Sequence, residues 1–151
     1  MHTPVSNIGG TIAIEVGTPA TEDQAGYEAV GMVYDEISGI TSIPETGNSS
    51  ESFNVTHLKD GITRYGNGAK SVSPFRISYS YKSDDTGQGS VRANENGNTT
   101  CTLLVTHANG DKYYIQGVIG PVLVTEATSN SEKGESFEFR PQSLWTKVAA
   151  A

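Results

Sequence analysis

Two runs frame the reading: Ser50-Glu51-Ser52-Phe53-Asn54-Val55-Thr56-His57 and Phe75-Arg76-Ile77-Ser78-Tyr79-Ser80-Tyr81-Lys82. In the first, Phe53 and Val55 point one way while Ser52, Asn54 and Thr56 point the other. In the second, Phe75, Ile77, Tyr79 and Tyr81 share one face, opposite Arg76, Ser78, Ser80 and Lys82. A period of two marks strands with one buried and one wet face. Between the runs lies Leu58–Pro74, with Gly61, Gly66 and Gly68 and the cations Lys59, Arg64 and Lys70. A glycine-rich connection of that length is uncommon in a small domain unless it is functional or disordered. It reads as an arm loop that contacts another subunit, with Lys59, Asp60, Arg64, Tyr65 and Lys70 as its candidate contact residues.

Composition agrees with a β protein. The 151 residues suit a single domain, 1–151, and hydrophobic residues make up 35%. Gly, Ser, Thr and Asn make up much of the rest, favouring short strands and turns over helices. Ten Lys and Arg face 17 Asp and Glu, for a formal net charge of −7. Phosphate neutralisation needs a cationic face, so nucleic-acid binding of the usual kind is excluded. Cys101 is the single cysteine, so no disulfide framework exists, and its strand context predicts a buried, inert thiol. No apolar run reaches the ~20 residues of a membrane span, and Met1-His2-Thr3-Pro4 has no signal-peptide character. Synthesis in a cytoplasm without membrane insertion is expected.

Along the chain, Gly10–Val16 reads as a first strand, with Ile12 and Ile14 on its apolar face. Gly17–Gly26 is a polar loop in which Thr21 or Asp23 begins one helical turn, and Tyr27–Ile40 contains a second strand. Ser83–Asn98 is the one candidate helix, capped by Asp84 or Asp85 and closed near Gly97. Thr99–His107 and Lys112–Ile119 flank Asn109-Gly110, the strongest hairpin signal present. Gly120-Pro121 bends the returning strand before Val122–Ala127. Thr128–Glu135 is a polar turn, and Ser136–Arg140 starts a last strand running towards Trp145. Lys147–Ala151 reads as an appended remnant. The fold class is mainly β: a sandwich or barrel of about eight strands with one short α-helix and a long hairpin arm loop at about 58–74.

Catalytic and metal chemistry has no foothold. His2, His57 and His107 have no ligand spacing, and no serine lies in a nucleophile elbow. Gly61 to Gly66 has P-loop glycine spacing without the lysine or the helix. Asn48, Asn54 and Asn98 begin sequons that a Ser- and Thr-rich chain supplies by chance. No catalytic residue, metal ligand or cofactor site is expected, and the chain does not read as an enzyme. Some of the scattered acidic residues, with Glu36 and Glu51 as candidates, could line a passage for a polyanion.

The order of these signals resembles the major tail-tube proteins of long, non-contractile bacteriophage tails. The resemblance is carried by Asn7-Ile8-Gly9-Gly10-Thr11-Ile12 opening the first strand, Ile40–Pro44 before Ser50–His57, and the hairpin arm His57–Pro74. The later helix, Asn109-Gly110-Asp111 and Tyr114-Ile115-Gln116-Gly117-Val118 extend it over about Asn7–Trp145. It is a resemblance of pattern more than of invariant residues, and the C-terminal immunoglobulin-like domain of some relatives is not expected. It implies hexameric rings that stack into a tube, each ring's strands closing an inner barrel through which double-stranded DNA passes unbound. The implied partners are further copies of the chain, a tape-measure protein, tail-tip or baseplate proteins and a tail terminator. The implied location is the virion tail, assembled in the host cytoplasm. In that setting the arm cations would meet acids such as Asp23 or Glu45 of the next ring. An inner tube of a contractile injection or type VI secretion system is one alternative, and a carbohydrate-binding β-sandwich is another.

Overall fold

The computed structural model describes residues 8–56, 61–124, 129 and 133–150. Among them are nine strands and two helices. The first strand, β1 (Thr11–Val16), buries Ile12 and Ile14 completely. It pairs antiparallel with β6 (Cys101–Thr106), which pairs with β7 (Lys112–Val124). The β6–β7 turn follows the Asn-Gly signal. Gly110 takes a φ of +98°, and Asn109 Oδ1 accepts from the Asp111 amide at 3.1 Å. Beyond β7 come β8 (Gly134–Pro141) and β5 (Phe75–Ser80), in register from Phe75 opposite Phe139 to Ser80 opposite Gly134. The β7–β8 register shifts between Ile119 and Val122, as the Gly120-Pro121 bend requires.

The sheet rolls until its two edges are joined by one segment. At one end of it, β2 (Asp35–Glu36) pairs with β1. A few residues later Ile40 bridges Tyr79 of β5, and Gly39 O accepts from the Ser80 amide at 2.9 Å. Gly39 lies at φ +78°, with Ser80 atoms 3.1–3.3 Å from where a Cβ would stand, so a side chain there would strain the seam. The expectation of a sandwich or barrel is met by a rolled, nearly closed sheet. Its interior is filled by Ile12, Ile14, Ile77, Leu103, Val105, Ile115, Phe137 and Phe139. Each such side chain contributes about 1.5–3 kcal/mol by leaving water.

Two short helices dress the barrel. Asp23 caps α1 (Gln24–Tyr27), accepting from the Gly26 amide at 2.9 Å, as the sequence predicts. Tyr27 then stacks on Tyr114 at 4.8 Å and its hydroxyl accepts from Gln116 Nε2 at 3.2 Å, so α1 covers the outward face of β7. The expected helix is α2 (Thr86–Ala93), capped by Asp85. Gly87, which by propensity weakens a helix, lies where a Cβ would strike the Glu36 carbonyl, so it permits the helix to sit on the seam.

Three expectations need correction. The long connection is not a loop: Thr63–Ser71 is a nine-residue strand, β4, paired with β3 (Ser49–Thr56) despite its glycines. Glu135 is not in a polar turn but buried in β8. The terminal residues are not a passive tail. Thr146–Val148 forms β9 against Lys112–Tyr114, and the Ala150 amide donates to Asp111 Oδ1 at 2.9 Å.

Candidate assembly surface

The arm is the feature that the rest of the barrel leaves unexplained. Among the described residues, β3 and β4 pair with each other and with no other strand. Every residue of β3 is exposed: Phe53 is 52% accessible and Val55 40%. The alternation read from the sequence is real, but the described residues leave its apolar face exposed. Gly66 stands opposite Phe53, and a Cβ there would lie 2.5 Å from the ring, so the aromatic ring lies flat across the glycine. Gly68 lies against the Glu51 backbone, whose carbonyl oxygen is 3.1 Å from where a Cβ would stand. The two glycines remove side chains from β4, so Phe53 and Val55 stand clear on one face.

Arg64, opposite Val55, shares that apolar face. Tyr65, opposite Asn54, lies on the other and is 75% exposed. Lys70 stands opposite Ser50 at the base, across a bulge. Lys59 and Asp60 lie outside the described residues, as do His2 and His57. Thus Arg64, Tyr65, Lys70 and Glu51 are brought into one two-stranded ribbon, on different faces. Glu36 is not among them: it is exposed in β2, beside α2.

The ribbon is clamped at its root. Asn48 Oδ1 accepts from the Trp145 amide at 2.8 Å, and Asn48 Nδ2 donates to Trp145 O at 3.3 Å. Thr46 meets His107 Nε2 at 3.1 Å. Trp145, only 6% exposed, stacks on Phe75 at 5.6 Å and meets Tyr113 edge-on. The one tryptophan is therefore core and offers no aromatic platform to a sugar. Asn48, which begins a chance sequon, has a structural role instead.

A second surface went unnoticed in the sequence. Residues Ala29-Val30-Gly31-Met32-Val33 form an apolar knob in which all but the half-buried Met32 are exposed, Val30 fully so. The knob is pinned. Met32 N donates to Ala29 O at 2.9 Å, Val33 N donates to Glu15 Oε2 at 3.0 Å, and Tyr34 Oη donates to Tyr27 O at 2.8 Å. Exposed apolar runs on rigid supports mark contact sites more often than accidents. The signal was the run itself, read as part of a mixed strand.

A buried polar network locks the seam of the barrel. Tyr79 Oη donates to Glu135 Oε1 at 2.7 Å, and Arg92 Nε donates to the same oxygen at 3.1 Å. Burial, then the Glu135 hydrogen bond and charge, push the Tyr79 phenol well above its ordinary range. Gln88, fully buried, donates to Ser38 O and Ser80 O on the two sides of the seam. Cys101 is buried and its thiol is pushed up to about 11, chiefly by burial, as an inert core thiol should be. Among the described residues no group of three His, Cys, Asp or Glu is placed to hold a metal ion, and no helix is long and apolar enough to cross a membrane.

No family model matches the chain, and no curated protein matches its sequence. Solved structures do match. The chain is similar to one from the tail of an empty GTA particle refined helically with C6 symmetry (TM-score 0.64, 14% identity, 97% of this chain and 100% of that one). It is also similar to a chain of the anti-feeding prophage cap, the AFP tube terminating cap (TM-score 0.60, 10% identity, 99% and 94%). A chain of the PVC sheath-tube complex of an extracellular contractile injection system matches as well (TM-score 0.55, 11% identity, 92% and 88%). At these identities the likeness is one of fold, and it runs from end to end of the described barrel and arm. The fold is that of tail and injection-tube components.

Proposed function

We propose that this chain is the repeating subunit of a hollow tail tube, built from stacked hexameric rings, in a long non-contractile phage tail. The observation that carries the reading is the β3–β4 ribbon. Its strands are eight and nine residues long, and Phe53 and Val55 on its apolar face are left exposed by the described residues of the subunit. An isolated two-stranded hairpin is marginal in water, so this ribbon gains its stability and its purpose from a partner. Repetition of one heterologous contact along an axis gives an open filament. The net charge of −7 suits a conduit for double-stranded DNA, because acidic walls repel phosphate and leave no site at which the genome would pause. Ring neighbours, a tape-measure protein, a tail-tip complex and a terminator are the partners this role requires, and the virion tail is its location.

A second reading, the inner tube of a contractile injection apparatus, is favoured by the likeness to the anti-feeding prophage and PVC chains, whose TM-scores lie close to that of the GTA tail. Negative-stain electron microscopy over a concentration series tests the class: hollow rings or tubes are expected. A strictly monomeric particle at high concentration, with or without pre-formed tail tips as initiators, would overturn the proposal. Tubes that recruit a sheath protein would favour the second reading.

A further inference from the structure

The arm and the knob lie at opposite ends of the same ladder. The β1–β6–β7 register runs from Thr11, Thr106 and Lys112 at one end to Val16, Cys101 and Gly117 at the other. The arm is rooted at the first end, where Thr46 meets His107 just past β6. The knob is tied to Glu15, at the second. With strands rising about 3.3 Å per residue, the two ends are separated by close to the length of β1, about 20 Å. Two surfaces so placed are suited to meet between copies.

Their chemistry is complementary. The knob presents Val30 and Val33, with Val16 also exposed nearby, and is flanked by Glu28, Asp35 and Glu36. Glu15, whose carboxylate holds the Val33 amide, adds a further acid on this side. The apolar arm face presents Phe53 and Val55, with Arg64 beside Val55. Resting on the tube reading, we propose that the knob Ala29–Val33 seats the arm of a neighbouring copy. Phe53 and Val55 pack on Val30 and Val33, and the Arg64 guanidinium lies against Asp35 and Glu36. Apolar matching supplies the affinity, and charge sets the orientation and rejects the inverted contact. Because each copy carries an arm at one end and a seat at the other, the contact is head-to-tail and does not close on a pair.

The test is a charge-reversal cycle scored by sedimentation of polymer from the purified full-length chain. Arg64→Glu and Glu36→Arg should each lower the sedimented fraction by about tenfold or more, and the combined variant should recover most of it. A second measurement does not depend on charge: Val55→Cys with Val33→Cys, oxidised after assembly, should give a ladder of covalent multimers on a non-reducing gel. Cys101 is buried and does not compete. If the wild-type chain forms no tubes, the tube reading fails and this inference with it. If the wild type forms tubes while the combined variant stays as defective as the single ones and no ladder appears, the arm seats elsewhere and only this inference is overturned.

Discussion

Glu135 is 3% exposed at the seam of the barrel, where it forms an ion pair with Arg92. A buried carboxylate is tolerable only when it is paired and hydrogen-bonded. Arg92 and Tyr79 meet that demand, and Arg92 Nη2 also donates to Gln88 Oε1 at 2.8 Å, tying the pair to the seam. Arg92→Met should therefore cost about 2–3 kcal/mol, less than for a fully buried pair because Arg92 is 26% exposed. Tyr79→Phe should cost about 1.5–3 kcal/mol for the lost bond to a charged acceptor. Urea denaturation of the monomer measures both, and a loss below about 0.5 kcal/mol for Arg92→Met would show the network to be ornamental. Asp85 adds a pH dependence. Burial raises its pKa, but the Ser38 hydroxyl, the Gln88 and Ser38 amides and the Lys82 charge outweigh burial and hold it below 3.8. A depressed folded value stabilises the fold fully above 3.8, and that contribution is lost as pH falls through the folded value. The stability gap between wild type and Asp85→Asn should thus be constant down to about pH 5 and shrink towards about pH 3. A gap that widens on acidification would contradict the assignment.

At the scale of the element, the strands with a covered face were readable in the sequence. Phe75, Ile77 and Tyr79 alternate because a core selects them, and the Asn109-Gly110 turn fixes its own geometry. The arm was half legible. Its period of two is plain in Phe53 and Val55, but periodicity reports that a face is covered, not by whom. Its return strand was hidden because glycine is depleted in strands, and only the pairing of Gly66 under Phe53 shows why glycine is wanted there. Glu135 was illegible for a similar reason: nothing local announces that Arg92, 43 residues earlier, folds back onto it. Cutting the ribbon at its base, by joining Ser49 to Ser71 through a short glycine linker, is geometrically mild because the two are cross-strand partners. The thermal midpoint of the monomer should move by no more than a few degrees, while tubes vanish from electron micrographs. Normal tubes from the cut chain would remove the arm from the assembly. The gentler pair Phe53→Ser and Val55→Ser should have the same effect on tubes with the barrel untouched, since both side chains already face water in the single subunit.

For the whole molecule, charge and apolar contact pull in opposite directions. Each copy brings a net charge of −7, so packing copies into a tube accumulates like charge. That repulsion acts over a Debye length, about 30 Å at 0.01 M salt and about 8 Å at 0.15 M. The attractive terms are short-ranged: valine and phenylalanine contacts that salt leaves intact, and a few cross-copy ion pairs worth about 0–1 kcal/mol each where exposed. The longer-ranged term loses more to screening. Tube formation, followed by light scattering, should therefore have a lower critical concentration at about 0.15 M salt than at about 0.01 M. Lowering the pH towards the sequence pI of about 4.8 should act in the same direction by removing net charge. A critical concentration that rose with salt would mean that ion pairs, not apolar faces, hold the copies together. The weight of the assembly would then lie on Arg64 and the acidic flank instead of on Phe53 and Val55.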